Sequence, residues 1–188
     1  MTITLIRHGI TEGNARDLFY GAADIPLLPE GEAALRRLSA ERPYPTAPHY
    51  YTSPLYRTQQ TLHILYGDVP FTVVEGLREF NFGIFEMREV PGDLEHDEAF
   101  RTWMAGGMKD TCPGGDGIED FTARVASAMA PIVAKGEDAV CVIHGGVIAA
   151  LLGVWFPVEN AFRRTPHPGT GYQVIFEDGK PVSYHPIP

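Results

Sequence analysis

Apolar residues fall in short continuous runs and in helix-spaced sets along the chain, which predicts strands separated by helices. The predicted strands cover residues 2–6, 50–52, 71–74, 139–143 and 172–176, with the last at an edge of the sheet. The run AVCVI at 139–143 is apolar throughout, as expected of a parallel strand that is covered on both faces.

Helix-spaced apolar positions and capping signals predict the helices between these strands. Residues 30–41 carry Leu35 and Leu38 on one face, and residues 95–104, 118–134 and 147–152 are also predicted to be helical. Ser53 is predicted as an N-cap and Pro54 as the first helical residue of a helix that stops near Gly67. Pro131 is expected to kink the helix at 118–134 or to end it early. Residues 9–28 and 84–116 are predicted to be irregular.

The alternation of strands and helices predicts the fold class. We expect an α/β protein, a three-layer α/β/α sandwich with a mostly parallel central sheet. A length of 188 residues suits a single domain over residues 1–188. Within it, residues 84–116 are expected to act as a cap that sets specificity.

Charge and composition narrow the classes of partner. The net charge of -9 argues against nucleic acid, which needs a basic face. No run of about 18 apolar residues predicts a membrane span, and the first residues do not resemble a signal peptide. Cys112 and Cys141 form no CxxC motif. These features predict a cytoplasmic protein that contacts neither membrane nor nucleic acid.

The same pattern occurs at the ends of two predicted strands. Arg7, His8 and Gly9 follow the first strand, and His144, Gly145 and Gly146 follow the strand at 139–143. Ligands of open α/β sheets bind beyond the carboxyl ends of the strands, so both histidines are expected in one crevice. Arg57 is expected in the first turn of a helix that follows another strand. Two arginines, two histidines and a helix N-terminus predict a phosphate site.

Each of these residues also has a structural interpretation when taken alone. A histidine at a strand end is often a hydrogen-bonded structural residue, and an arginine on a helix is usually a solvated charge. The repeated strand-end histidine favours the phosphate site. The two histidines have no acidic or cysteine partner at the spacing of a metal site, so no metal is predicted.

Several segments resemble the histidine phosphatase superfamily, which has the phosphoglycerate-mutase-like fold. They follow the family's order along nearly the whole chain: RHGITEGN, GAADIPLLPEG, YTSPLYRTQQT, LREFNFGIFEM, PGGDGIEDFTARV and VCVIHGGVIAAL. The resemblance implies that His8 is the nucleophile that carries a phosphoryl group. It implies that His144 and Glu79 are also catalytic, with Glu79 as general acid and then base. It further implies that the phosphate is bound by Arg7, Asn14, Arg57 and Gly145. No cofactor is expected.

The superfamily contains phosphatases and phosphoglycerate mutases, and the residues favour a phosphatase. In the mutases an arginine follows the glutamate, whereas here Phe80 does. The chain is also too short for the insertion that covers the mutase site, so water should reach a phosphohistidine. Phosphoglycerate mutase remains the alternative function, and a non-catalytic scaffold protein is a further one. We expect a monomer or a homodimer.

Residues 97–117 resemble a bacterial subgroup that includes alpha-ribazole phosphatase, an enzyme of cobalamin assembly. Phe100 and Trp103 match its aromatic positions, although two aromatics three apart on a helix also suit a core. Gly115-Asp116-Gly117 replaces the subgroup's Gly-Glu-Ser. The apolar residues Ile84, Phe85, Met87 and Met104 are expected to form the mouth of the site, which favours an organic leaving group.

Overall fold

A computed structural model describes residues 1–156 and 161–187. The strands are β1 (Thr2–Arg7), β2 (Leu18–Phe19), β3 (His49–Thr52), β4 (Thr72–Val73), β5 (Arg88–Glu89), β6 (Ala139–Ile143), β7 (Gly171–Glu177) and β8 (Lys180–Ile187). The α-helices are α1 (Glu12–Ala15), α2 (Pro29–Glu41), α3 (Tyr56–Tyr66), α4 (Glu98–Ala105), α5 (Ile118–Ala134) and α6 (Gly145–Trp155). Short 3₁₀ turns lie at Glu75–Leu77, Gly83–Phe85 and Ala161–Arg164.

The main sheet has the strand order β4-β3-β6-β1-β7-β8. Strands β4, β3, β6 and β1 pair in parallel, whereas β7 pairs antiparallel with β1 and β8 pairs antiparallel with β7. The predicted α/β class with a mostly parallel central sheet is therefore confirmed. Strands β2 and β5 form a separate two-stranded sheet.

Both faces of the central strands are buried, as the apolar run in β6 predicted. Cys141 and Ile143 of β6 belong to a cluster that also contains α5 and α6 side chains such as Val125 and Leu151. Val140 and Val142, on the opposite face, pack with Leu62 of α3. Alternate residues of one strand thus contact different helical layers.

The predicted edge strand was wrong. Strand β7 lies between β1 and β8, and β8 forms the edge. Its sequence, KPVSYHPI, contains two prolines and a mixed polar pattern, so the sequence does not predict this strand. Edge strands tolerate proline because one side of their backbone has no neighbouring strand. Residues 9–28 also contain α1 and β2 rather than loop alone.

The predicted start of the helix after residues 50–52 was also wrong. Helix α3 begins at Tyr56 with Leu55 as its extended N-cap, so Ser53 and Pro54 lie outside it. The Tyr56 amide donates to Asp24 Oδ1 at 2.7 Å, so a distant side chain satisfies this helix start. Pro131 does not end α5, which continues to Ala134.

Candidate active site

Strand register places His8 and His144 beside each other. Arg7 pairs with Ile143 in the parallel ladder between β1 and β6, and the next residue of each strand is a histidine. The His8 amide donates to the Ile143 carbonyl at 3.0 Å. The two imidazole rings lie 5.3 Å apart, centroid to centroid, in an edge-to-face arrangement. The predicted crevice at the carboxyl ends of the two strands is therefore present.

A backbone hydrogen bond orients the imidazole of His8. Nδ1 lies 2.7 Å from the Gly9 carbonyl oxygen. A carbonyl only accepts, so Nδ1 carries the hydrogen and Nε2 keeps a lone pair. Burial, reinforced by Arg57 and Arg7, holds the pKa of His8 well below its ordinary value, against the opposing effect of the Gly9 bond. The ring is thus neutral, and Nε2 is suited to nucleophilic attack.

His144 is fixed by the hydroxyl group of Ser53. His144 Nε2 lies 2.7 Å from Ser53 Oγ, and both side chains are fully buried. When this hydroxyl donates to Nε2, the neutral ring carries its hydrogen on Nδ1, which becomes a donor. Burial and then Arg57 lower the pKa of His144 well below its ordinary value, which favours the neutral ring. Sequence reasoning assigned Ser53 to a helix cap and missed this contact.

Arg7 and Arg57 each donate hydrogen bonds to backbone carbonyls. Arg7 Nη1 donates to the Pro166 carbonyl at 2.8 Å. Arg57 is fully buried, and its Nη1 and Nη2 donate to the carbonyls of Ala23 and Gly21, both at 2.7 Å. The Nε atoms of both arginines are buried without a partner among the described residues. Bonds of this kind fix the orientation of a guanidinium and leave donors available for an anion.

Glu79 is held by the N-terminus of α6. Its Oε2 accepts from the Gly146 amide at 2.8 Å and its Oε1 from the Phe80 amide at 3.0 Å. Burial raises the pKa of Glu79 above its ordinary value, although these two amides and both arginines oppose the shift. A Cβ atom on Gly146 would lie 2.5 Å from Oε1. The glycine therefore allows the carboxyl group to reach the helix backbone.

The remaining predicted residues, Asn14 and Gly145, also lie at the site. Asn14 Oδ1 accepts from the amide and the hydroxyl of Thr11, both at 3.1 Å. These two bonds do not use the side-chain NH₂ group of Asn14. Gly145 is the first residue of α6, and a Cβ atom there would lie 3.2 Å from Arg7 Nε. Gly145 thus lets the Arg7 side chain pass against the helix start.

A cavity of about 530 Å³ opens beside these groups. It is lined by Arg7, Gly13, Asn14, Asp17, Leu18, Phe19, Tyr20, Phe82 and Val90. His8, Arg57 and His144 are buried and Glu79 is half-buried, and none of the four is among the lining residues. Arg57 lies 5.3 Å from the centre of the ring of Tyr20, which lines the cavity.

One of the four residues predicted at the mouth of the site, Phe85, lies in the core. Ile84, Phe85, Met87 and Met104 do not line the cavity, and Phe85 is fully buried. The apolar wall is formed by Phe19 of β2 together with Phe82 and Val90. Long-range pairing of β2 with β5 brings Phe19 there, and the composition of residues 84–116 gives no sign of it.

Phe100 and Trp103 belong to the core rather than to the cavity. They are 7% and 4% exposed and pack with Phe85 and Phe19. Trp103 Nε1 donates to the Asp110 carbonyl at 2.9 Å, so its polar atom has an internal partner. Their match to the subgroup pattern is therefore a match of core residues.

Arg124 and Asp116 support the segment that carries Glu79. Arg124 Nη1 donates to the Gly76 and Arg78 carbonyls at 3.0 and 2.9 Å. Its Nη2 lies 3.0 Å from Asp116 Oδ2, which also accepts from the Asn81 amide. Asp116, the centre of the Gly-Asp-Gly departure, thus fixes this segment and does not line the cavity. The sequence gives no sign of this contact between Arg124 and Asp116.

The described residues contain neither a cluster of metal ligands nor a membrane-spanning helix. Within residues 1–156 and 161–187, no three His, Cys, Asp or Glu side chains come together as metal ligands. None of the helices in these two ranges is long and apolar enough to cross a membrane.

The fold and the site together define a class of protein. Neutral histidines, oriented arginines and a helix N-terminus at the carboxyl edge of a parallel sheet form a site for a tetrahedral oxyanion. Residues 3–184 match the family described as "Histidine phosphatase superfamily (branch 1)", and the chain belongs to that superfamily.

Individual relatives carry several activities in their names. The chain is 29% identical over 157 residues to "Probable phosphoglycerate mutase GpmB" of Enterobacter sp. (strain 638), which covers 81% of this chain and 73% of the relative. It resembles the structure of the alpha-ribazole phosphatase from Shigella flexneri with a TM-score of 0.85 at 24% identity, covering 97% and 94% of the chains. It also resembles a phosphoserine phosphatase mutant from Entamoeba histolytica in complex with phosphoserine, with a TM-score of 0.80 at 26% identity over 97% and 95%.

Proposed function

We propose that this protein is a phosphomonoesterase that acts through a phosphohistidine. In the first step His8 Nε2 attacks phosphorus, the P–N bond forms and the bond from phosphorus to the ester oxygen breaks. Glu79 gives its proton to that oxygen. In the second step Glu79 takes a proton from water, the water oxygen attacks phosphorus and the P–N bond breaks, which releases phosphate and restores His8.

The observation that carries this proposal is the hydrogen-bonding state of the site. His8 Nδ1 is occupied by the Gly9 carbonyl, so Nε2 is the free nitrogen. Around it, Arg7 Nε, Arg57 Nε and His144 Nδ1 are buried without partners among the described residues. A buried donor without a partner costs about 1–3 kcal/mol. Equatorial phosphoryl oxygens would satisfy these donors and would be stabilised by them in the transition state.

The raised pKa of Glu79 supports its role as the proton donor. A general acid must hold its proton until the leaving oxygen develops charge, and burial keeps this carboxyl group protonated to a higher pH than usual. Glu12, another carboxyl group in the first motif, is half exposed and paired with Arg16 at 2.7 Å. The structure therefore favours Glu79 over Glu12.

The lining of the cavity favours a small organic leaving group without a second anion. Phe19, Phe82 and Val90 form its apolar side, Arg7 is the cation and Asp17 the carboxylate among its lining residues. A carboxylate on the substrate would be repelled by Asp17. Arg7 is already assigned to the phosphate, so the lining offers that carboxylate no second cation. A nucleoside-like ester such as alpha-ribazole 5'-phosphate suits this lining, and the likeness to the Shigella flexneri phosphatase agrees with it. A role in cobalamin assembly would follow.

Two further parts of the proposal concern cofactor and compartment. The positive charge of the site comes from Arg7 and Arg57, so we propose that the reaction needs no metal and no organic cofactor. Cys112 and Cys141 are both free and buried, which suits a reducing compartment and supports the cytoplasm.

A phosphoenzyme experiment tests the reaction. Wild-type protein is mixed with p-nitrophenyl phosphate, quenched in a single turnover and digested. We expect the peptide that contains His8 to gain the mass of a phosphoryl group, with an acid-labile and base-stable bond. Folded His8→Ala should show neither the label nor turnover. Substantial turnover by folded His8→Ala would refute the role of His8, and an inactive, unlabelled wild type would favour the scaffold alternative.

Phosphoglycerate mutase is the second candidate, because the relative from Enterobacter carries that name. Phe80 argues against it, since it is 7% exposed and lies in the core next to Phe121, where a mutase would present a basic side chain. We expect 3-phosphoglycerate, given with a trace of the bisphosphate, to be converted to 2-phosphoglycerate more slowly than the best ester is hydrolysed. Mutase turnover equal to or faster than that hydrolysis would overturn the assignment.

A further inference from the structure

Glu86 collects backbone amides from two separate segments of the chain. Its Oε1 accepts from the amides of Ala22 and Phe82, both at 2.9 Å, and from Gly21 at 3.1 Å. Its Oε2 accepts from Gly21 at 3.1 Å and from Ala23 at 3.2 Å. Every partner is a donor, so a carboxylate, which only accepts, matches the whole set. Consecutive amides of this kind form a concave site for an anion, filled here by the protein's own side chain.

Residues 21–23 contact two side chains through their backbone. Their amides donate to Glu86, and the carbonyls of two of them accept from Arg57. Gly21 and Ala23 each donate their amide to Glu86 and accept a hydrogen bond from an Arg57 Nη atom at 2.7 Å. The short segment 21–23 therefore lies between a carboxylate and a guanidinium. These carbonyls can hold the guanidinium plane in one orientation only while the segment itself stays in place.

The same segment has no freedom to move toward Glu79. A Cβ atom on Gly21 would lie 1.8 Å from the Phe80 carbonyl oxygen and 3.1 Å from Glu79 Cγ. Glu86 also binds the Phe82 amide, so it joins segment 21–23 to the chain that follows Glu79. One carboxylate thus sets the distance between the loop that orients Arg57 and the segment that carries the proposed acid.

We propose that Glu86 is a positioning residue that orients the Arg57 guanidinium through the backbone of residues 21–23. The inference rests on the proposed function, in which Arg57 stabilises charge on the transferring phosphoryl group. Glu86 does not touch the phosphoryl group in this scheme. Its contribution should therefore depend on the presence of Arg57, which a residue that only stabilises the fold would not show.

The test is a double-mutant cycle with p-nitrophenyl phosphate. In Glu86→Gln an amide nitrogen replaces one acceptor oxygen, so at least one amide of segment 21–23 or of Phe82 loses its partner. Removing a preorganised donor from an oxyanion site lowers turnover about 10²- to 10³-fold. Displacement of Arg57 should lower the rate less than its complete removal. We therefore expect kcat/KM of Glu86→Gln to fall about tenfold to a hundredfold. In an Arg57→Ala background the same substitution should change kcat/KM by no more than about twofold.

Control variants separate positioning from loss of structure. Glu89→Gln removes a carboxylate that contacts Arg16 at the surface of β5, and it should leave kcat/KM unchanged. Urea unfolding of each variant gives its stability and shows that the variant is folded under the assay conditions. If Glu86→Gln does not fold, Glu86→Asp replaces it, because it keeps both oxygens but is one methylene shorter.

The outcomes are distinct from failure of the proposed reaction. Titration of inorganic phosphate by calorimetry reports on Arg57 without any turnover, and Glu86→Gln should weaken phosphate binding only when Arg57 is present. Wild type that binds phosphate but hydrolyses no ester would refute the phosphatase and leave this coupling to decide the role of Glu86. Wild-type values of kcat/KM and phosphate affinity in folded Glu86→Gln, or equal losses in both backgrounds, would overturn the inference.

Discussion

Replacement of Glu79 by glutamine tests whether this carboxyl group donates a proton to the leaving group. Both oxygens of Glu79 accept from backbone amides, Phe80 on one side and Gly146 on the other. Glutamine keeps the size of the side chain but has only one acceptor oxygen, so one of these amides will face a donor. The variant also cannot release a proton to a leaving group.

The structure separates the effect on stability from the effect on rate. The lost acceptor leaves one partly buried amide without a partner, which should lower the free energy of unfolding by up to about 1–3 kcal/mol. The lost proton should slow transfer from an alkyl phosphate about 10²- to 10⁴-fold, because an alkoxide is strongly basic and must be protonated as it leaves. The p-nitrophenolate group is weakly basic and leaves unaided, so p-nitrophenyl phosphate should be affected much less.

The assay compares kcat/KM, or the burst of phosphoenzyme, for the two esters. These quantities report the first transfer, whereas hydrolysis of the phosphohistidine is common to both substrates. Arg57→Ala is the matched control. The Arg57 side chain is proposed to stabilise the phosphoryl group whatever the leaving group, so its removal should slow the reaction of both esters alike. Equal losses for both esters in Glu79→Gln would show that Glu79 binds or orients the substrate and donates no proton.

Two further predictions concern pH and metal. Burial lowers the pKa values of His8 and His144 below 6.5, so the unfolded chain binds protons that the folded chain does not, and stability should fall as the pH falls below that value. His8→Gln should reduce this slope by at most about 1.4 kcal/mol per pH unit in urea unfolding between about pH 7 and pH 5.5, and an unchanged slope would contradict the burial of a neutral His8. Hydrolysis of an aryl phosphate should persist in EDTA, and loss of activity that magnesium restores would refute the metal-free site.

The sequence by itself determined the elements that periodicity and strand-end chemistry control. An apolar run covered on both faces and followed by a histidine occurs in β6, and a similar run ends at His8 in β1. Parallel neighbours bring their carboxyl ends to one edge, so the pairing of the two histidines followed from the pattern once the sheet was parallel. The α/β class and the helix at Ile118–Ala134 followed from the same periodicity.

Tertiary structure decided what depends on contacts between distant segments. Local sequence predicts a helix cap at Ser53, but its hydroxyl lies against His144, 91 residues away. Glu86 reaches the amides of residues 21–23, more than 60 residues earlier in the chain, a contact that no local signal encodes.

The cavity wall and the sheet edge were decided in the same way. Phe19 reaches the cavity through the pairing of β2 with β5, while Phe85 turns into the core, although both are aromatic residues in irregular segments. Strand β8 becomes an edge strand only because β7 supplies the partner for its backbone. Hydrophobicity marks a residue for burial somewhere, whereas the packing of distant elements decides whether it faces the core or the substrate.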